Sequence, residues 1–207
     1  MAEHFLEGPL TEEDVKKLRL GDTVYISGKA FTCRSRLQKY IFDEGNTLPF
    51  TTEDRNILIH NGPIVIRENE EWKLVSFMPT SSIRFEKWGA KSVSEWGLRM
   101  IVGKTTMGEE TASMMKKCGC VHVSPRSVSP NLWIDSIKVE DVHLFKELGS
   151  IEASWFFDLE KLGPFIVDID CEGNNLFDRM DADVEEKRRE ALLKLGIDDS
   201  FKFTKLY

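Results

Sequence analysis

No run of about eighteen apolar residues occurs anywhere in the chain, so no segment is long enough to cross a bilayer as a helix. Positive charge is also short. The 28 Lys and Arg stand against 35 Asp and Glu, and the net charge of −7 with a pI near 5.3 argues against broad nucleic-acid binding. A local basic pocket for a small anion stays open. Cysteine is scarce: Cys33, Cys118, Cys120 and Cys171 are the whole supply. Cys118-Gly119-Cys120 is too close for an ordinary disulfide, and the spacings fit no zinc or iron–sulfur pattern. The chain is therefore expected to hold no metal alone. With no signal peptide ahead of the fold, a reducing cytoplasm is the expected compartment. Gly103-Lys104-Thr105-Thr106 lacks the rest of the Gly-x-x-x-x-Gly-Lys-Ser/Thr loop, so nucleotide binding is rejected. There is no credible catalytic triad, no internal repeat and no clear interdomain linker.

What is present is an alternation of short strands and helices in a chain of 207 residues, 41% hydrophobic and 30% charged, which is the make-up of a soluble globular protein. Met1 to Gly8 reads as a loose terminus. Thr11-Glu12-Glu13-Asp14 opens a helix with acids in its first turn. Thr23–Ser27 reads as a strand broken by Gly28, with a second extended piece through Ala30–Thr32. Ile57–His60 is a strand, and Ile64–Arg67 with Trp72–Phe77 forms a β-hairpin. A helix around Phe85–Trp96 breaks near Gly89. Leu98–Val102 and Cys120–Val123 are strands flanking a helix through Met114 and Met115. Val139–Leu148 reads as a helix stopped by Gly149, Ile151–Phe157 and Phe165–Ile169 as two strands, and Val184–Leu195 as an amphipathic terminal helix. The pattern is that of a mixed α/β domain, and the hairpin argues against an all-parallel sheet.

Chemistry gathers at three strand ends. Met78-Pro79-Thr80-Ser81-Ser82-Ile83-Arg84 runs from a strand into a helix, and its three hydroxyls and one guanidinium describe an anion-binding corner. The plainer reading is a turn with a capping serine. Arg34 follows Thr32-Cys33 at a second strand-to-helix corner, and Lys104 follows the third strand end. A lone surface Arg is usually a solvated charge, His60 is usually a hydrogen-bonded structural histidine, and Cys33 is usually a small buried filler. Ligand groups in open α/β folds collect at strand ends, so three cations with hydroxyls would suit a small dicarboxylate if the fold unites them.

At these points the chain resembles the β subunit, or C-terminal domain, of class I fumarases and L(+)-tartrate dehydratases. The likeness runs from Leu10 to Ile197. Thr32-Cys33-Arg34-Ser35 is similar to the family's Thr-Gly-Arg-Asp, and Gly62-Pro63 to its Gly-Pro turn. Met78-Pro79-Thr80-Ser81-Ser82-Ile83-Arg84-Phe85-Glu86 is similar to its Gly-Pro-Thr-Thr-Ser-x-Arg-Met-Asp, and Val102-Gly103-Lys104-Thr105 to its Ile-Gly-Lys-Gly. Gly149–Ala153, Pro164, Asp168, Asp170 and Gly173 resemble the closing strands.

The resemblance implies a single swivelling α/β domain over residues 10–197, with a mixed sheet, a β-hairpin and a C-terminal amphipathic helix. Residues 1–9 and 198–207 would then be terminal extensions. It implies a partner α subunit carrying a 4Fe–4S cluster, an active site between the two, and no cofactor on this chain. A homo-oligomer or heterotetramer is expected. It implies reversible hydration of fumarate to (S)-malate, a tricarboxylic acid cycle reaction. L(+)-tartrate dehydration to oxaloacetate is the alternative, and a substituted fumarate follows. Arg34, Arg84, Lys104 and Ser81 would bind substrate and Thr80 would move the proton.

Departures stand at Cys33, Ser35, Gln38, Met78, Ser81, Glu86 and Thr105, and Ser124–Leu132 lacks the family's Gly-Gly. Met78 and Cys33 are expected to add bulk beside the corner, and lost glycines restrict backbone approach to a ligand. Two further readings follow from these departures: a dicarboxylate-binding or assembly module without turnover, and a structural domain in which the cations are unrelated.

Overall fold

The computed structural model describes residues 1–197 and Phe201, so the expected extension at 198–207 lies outside the described residues except at Phe201. In chain order the elements are β1 (Glu3–Glu7), α1 (Glu12–Lys16), β2 (Thr23–Cys33), α2 (Ser35–Gln38), β3 (Ile57–His60), β4 (Ile64–Glu68) and β5 (Glu71–Ser76). They continue with α3 (Glu86–Glu95), β6 (Met100–Val102), α4 (Glu109–Cys118), β7 (Val121–Pro125), β8 (Ile137–His143), α5 (Phe145–Leu148), β9 (Ser154–Ile169) and α6 (Leu176–Lys194).

The main sheet runs β1-β2-β3-β6-β7-β9-β8. The first five are parallel neighbours, whereas β9 runs antiparallel to β7, β8 and β2. Because β9 also pairs with β2, strands β2, β3, β6, β7 and β9 close into a ring with β1 and β8 as branches. β4 and β5 form the expected hairpin, which is a two-stranded sheet of its own. The architecture is thus mixed α/β, with a mixed sheet, a hairpin and a C-terminal helix.

Strand alternation divides the core. Val24, Ile26, Ile57, Ile59, Met100, Val102, Val121 and Val123 belong to one buried cluster with Trp155, Phe157, Phe165 and Val167. Their intervening neighbours Leu58, Ile101 and Phe156 belong to a second, joined by Ile169 beyond a register shift of β9 against β7 and shared with Leu37, Val93 and Met115 from the helices. Both faces of β3 and β6 are therefore covered, which accounts for their nearly continuous apolar runs.

Several sequence expectations change, and the first is that β2 runs unbroken through Gly28. Residues 3–7 are not loose. Asp22 accepts hydrogen bonds from the Ala2 amide at 2.7 Å and His4 Nε2 at 3.1 Å, and Phe5 stacks on Tyr25, so β1 is tied to β2. Burial raises the Asp22 carboxyl, but these donors and the Arg19 amide outweigh it and hold the pKa below its ordinary value. Val139–Leu148 is not a helix but the end of β8 followed by α5. A register shift between Val139 and Asp141 interrupts the alternation, so the apolar residues recur at Val139 and Val142 with a helix-like spacing of three. The two late strands are one strand of 16 residues, β9, whose pairing with β2 shifts register near its middle. Helix α3 runs unbroken through Gly89, where a Cβ would stand 2.2 Å from Thr111 Oγ1, so the missing side chain seats α4 against α3.

Helix α4 begins at Gly108 without a cap of its own. Glu86, the first residue of α3, serves instead. Its carboxylate accepts from the Gly108 amide at 2.6 Å, the Thr111 amide at 3.1 Å and Thr111 Oγ1 at 2.8 Å. Glu86→Ala strands these donors at a cost of about 1–3 kcal/mol. The midpoint of thermal unfolding is expected to fall by roughly 2–12 °C, taking about 2–4 °C per kcal/mol for a chain of this size. An unchanged midpoint would show that water replaces the cap.

The terminal helix α6 starts earlier than expected, at Leu176, and has no buried residue; Met180, Val184 and Leu193 are exposed. Among the described residues no helix is long and apolar enough to cross a membrane.

Candidate functional site

Strands β2, β3 and β6 are adjacent and parallel, so their C-terminal ends share one sheet edge. Arg34 follows Cys33 at the end of β2, and Lys104 follows Gly103 just past β6. The last pair joining β3 to β6 is Ile59 with Val102. Beyond it the segment Thr80–Ser82 enters between the strand ends. The Thr80 amide donates to the His60 carbonyl at 2.7 Å, and the Lys104 amide donates to the Thr80 carbonyl at 3.0 Å. The Ser82 amide then donates to the Lys104 carbonyl at 2.8 Å. Ser81 and Lys104 form a parallel bridge. The Pro79–Arg84 corner and Lys104 are thus one continuous hydrogen-bonded edge.

The corner is not a capped α-helix. Residues Ser82–Phe85 make a single 3-10 turn, and Ser81 at its start makes no side-chain cap. A four-residue turn has little dipole to offer an anion, so the charge here comes from side chains. Arg84 is exposed, and its Nη2 donates to Thr80 Oγ1. Among the described residues neither Arg84 nor Lys104 forms an ion pair with a carboxylate. Two cations without counter-charge on one short edge suit an anionic ligand.

Arg34 differs. It stands 3.2 Å from Glu152 Oε1, while the other Glu152 oxygen accepts the Arg36 amide at 2.9 Å. Its Nε is buried and lacks a directed hydrogen bond, so the contact is an ion pair of poor alignment. The guanidinium lies across Gly62, where a Cβ would fall 2.7 Å from Nη1. Arg34 therefore shares the edge but is already neutralised.

The bulk expected from Cys33 and Met78 does not fill the corner. Cys33 is fully buried in the second core cluster, where burial, with the Glu152 charge, pushes its thiol well above the ordinary range. Met78 packs against the first cluster, and its carbonyl accepts from Asn61 Nδ2 at 2.6 Å. Thr105, where the family motif has glycine, takes φ +63°. A β-branched residue is strained in that region, where glycine would not be.

Sequence reasoning missed what lies beneath. Asp168 Oδ1 stands 2.5 Å from His122 Nδ1, His122 Nε2 stands 2.8 Å from Ser82 Oγ, and Ser82 Oγ stands 2.9 Å from His60 Nδ1. All four residues are fully buried. The signal was present: His122 and Asp168 interrupt the apolar runs Val121–Val123 and Val167–Ile169. Polar residues inside such strands need buried partners. Burial is the main reason that the His60 pKa lies well below its usual value, with His122 and Arg84 adding to the effect.

Among the described residues no three His, Cys, Asp or Glu side chains come together to hold a metal.

The chain is similar to several known proteins. It is 33% identical over 187 residues to a Methanocaldococcus jannaschii protein with the provisional name L(+)-tartrate dehydratase subunit beta, covering 88% of this chain and 95% of that one. It is 33% identical over 172 residues to the L(+)-tartrate dehydratase subunit beta of Escherichia coli K12, covering 83% and 85%. A Geobacillus stearothermophilus protein with the provisional name fumarate hydratase class I is 31% identical over 189 residues, which span 90% of this chain but 35% of that longer protein. The family described as Fumarase C-terminus matches residues 3–180, from β1 into α6 and across the whole Arg34–Thr80–Lys104 edge. With relatives this similar over most of its length, the chain belongs to the Fumarase C-terminus family.

Proposed function

We propose that the chain is the β subunit of a hydro-lyase that reversibly hydrates fumarate to (S)-malate, working with an α subunit that carries a 4Fe–4S cluster. The observation that carries this reading is the pair Arg84 and Lys104, two cations without counter-charge among the described residues, joined through Thr80: Arg84 by a side-chain hydrogen bond to its hydroxyl, Lys104 by a main-chain hydrogen bond to its carbonyl. A four-carbon dicarboxylate offers two anionic ends, and a guanidinium fork holds one of them in a fixed orientation.

In this reading Thr80 moves the proton. Its main chain is fixed on both sides, to His60 and to Lys104, and its hydroxyl oxygen accepts from Arg84. That bond leaves the hydroxyl proton free to be given to a substrate carbon in the hydration direction. In the reverse direction the adjacent guanidinium stabilises the alkoxide that would take the proton back, which eases the work of a poor base. Lys104 stabilises negative charge that develops on the second carboxylate as the carbon–hydrogen bond changes. Arg34, compensated by Glu152, would need to leave that partner to bind a carboxylate, and Ser81 adds a hydroxyl beside Lys104. When bound, an open cluster iron on the α subunit would supply Lewis-acid activation of the substrate hydroxyl.

Dehydration of L(+)-tartrate to oxaloacetate is a second reading, favoured by the names of the relatives that match this chain in length. Anaerobic co-expression with the α subunit, followed by assays on fumarate, (S)-malate and L(+)-tartrate, separates the two. Turnover of fumarate or malate supports the first and turnover of tartrate alone the second. A cluster-loaded complex that turns over none would leave a dicarboxylate-binding module.

A further inference from the structure

We infer that Asp168, His122, Ser82 and His60 form a buried relay that positions the Thr80–Arg84 segment for the proposed reaction, with Ser82 as the pin between the relay and the corner. The residues come from four separate elements: β9, β7, the 3-10 turn and β3. Their side chains meet on the helix-facing side of the sheet, the side to which Leu58 and Ile101 also point.

The proton positions follow from the partners. A carboxylate accepts, so His122 donates from Nδ1 to Asp168 and presents the Nε2 lone pair to Ser82. The Ser82 hydroxyl donates to that lone pair and accepts from His60 Nδ1–H. His60 Nε2, buried and without a hydrogen-bond partner among the described residues, is then a lone pair rather than a stranded donor. Every proton in the chain has an acceptor in this arrangement. The opposite direction would strand a buried N–H on His60 and set two lone pairs against each other at Asp168 and His122, unless His122 carried a second proton.

Four buried polar groups are a costly way to fill space that apolar side chains could fill, so the network supplies fixed geometry rather than net stability. Ser82 is where that geometry reaches the corner. Its hydroxyl is held by two rings, and its amide is held by the Lys104 carbonyl. Thr80 and Arg84 lie two residues to either side, on a segment whose other ties are main-chain bonds to His60 and Lys104. Gly103 leaves the room: a Cβ there would lie 1.7 Å from Ser82 Oγ and 3.2 Å from His122 Nε2. The motif glycine beside Lys104 thus serves the relay.

The test uses Ser82→Ala in the full chain, alone and in the complex with its α subunit; the kinetic arm rests on the reading proposed above. In the complex, kcat is expected to fall about 10²-fold, the scale of a displacement of roughly 1 Å in a reacting group. KM should change much less, because Arg84 and Lys104 remain. In the chain alone, nitrogen-15 NMR should find both His60 and His122 protonated at Nδ1. Ser82→Ala should move both ring signals and raise hydrogen exchange at the Ser82 and Lys104 amides on the order of tenfold, with Val121 and Val123 unchanged. Unchanged kcat with unchanged exchange would overturn the positioning role, and a His60 ring protonated at Nε2 would overturn the relay. If the wild-type complex turns over no substrate, the proposed reaction fails, and the exchange and tautomer results decide the relay alone.

Discussion

Arg84→Ala is expected to lower kcat/KM of the reconstituted enzyme by about 10²–10³-fold, the range seen when one charged or hydrogen-bonding partner of a transition state is removed. Two losses combine. The fork that holds a substrate carboxylate disappears, and so does the guanidinium that donates to Thr80 Oγ1. The first raises KM and the second lowers kcat, so both parameters should move. Arg84 is exposed and makes no ion pair among the described residues, so the thermal midpoint should stay at the wild-type value. Arg84→Lys should recover only part of the activity, because an ammonium lacks the planar fork. If instead Arg84 is a solvated charge, Arg84→Ala will leave kcat/KM within experimental error, and the corner is not the substrate site.

Gly103→Ala is expected to be the most damaging methyl group that could be added near the site. The new Cβ would lie 1.7 Å from Ser82 Oγ and 3.1 Å from Ser82 Cβ, both fully buried. Ser82 must move, and both imidazoles then lose their shared partner. Overpacking and unsatisfied buried groups together predict a loss of about 3–5 kcal/mol. By thermal denaturation this is a fall of roughly 10 °C. Because the closest atom is the Ser82 hydroxyl, the double variant Gly103→Ala/Ser82→Ala should be less destabilised than the sum of the two single variants. A wild-type midpoint for Gly103→Ala would mean that the Ser82 side chain has another place to go.

Periodicity made much of the fold legible. Thr23–Ser27, Ala30–Thr32, Ile57–His60 and Leu98–Val102 announce strands through apolar runs, although the first two are one strand through Gly28, and Glu68–Glu71 announces the hairpin turn. The errors have local causes. A bulge in β8 imitated a helical spacing, and β9 hid its continuity behind Pro164 in the register-shifted stretch that pairs with β2. β1 owes its place to Asp22, a residue 18 positions beyond His4, which no local pattern reveals.

The cations at three strand ends were legible as candidates, but only the parallel order β2-β3-β6 places them on one edge. The sequence also could not show that Arg34 is paired with Glu152, a partner 118 residues away. The buried relay stayed hidden for the same reason. Its four members are scattered from residue 60 to residue 168, and three-dimensional closure of the sheet is what brings them within hydrogen-bond distance.

The proposed reaction requires a dicarboxylate on the Thr80–Arg84–Lys104 edge, facing the α subunit. The most direct test is an anaerobic crystal structure of the complex soaked with (S)-malate or L(+)-tartrate. One carboxylate is expected on the Arg84 guanidinium, the other within reach of Lys104 Nζ, and Thr80 Oγ1 against the carbon that exchanges its proton. A ligand bound elsewhere, with Arg84 and Lys104 turned to bulk solvent away from the α subunit, would contradict that placement.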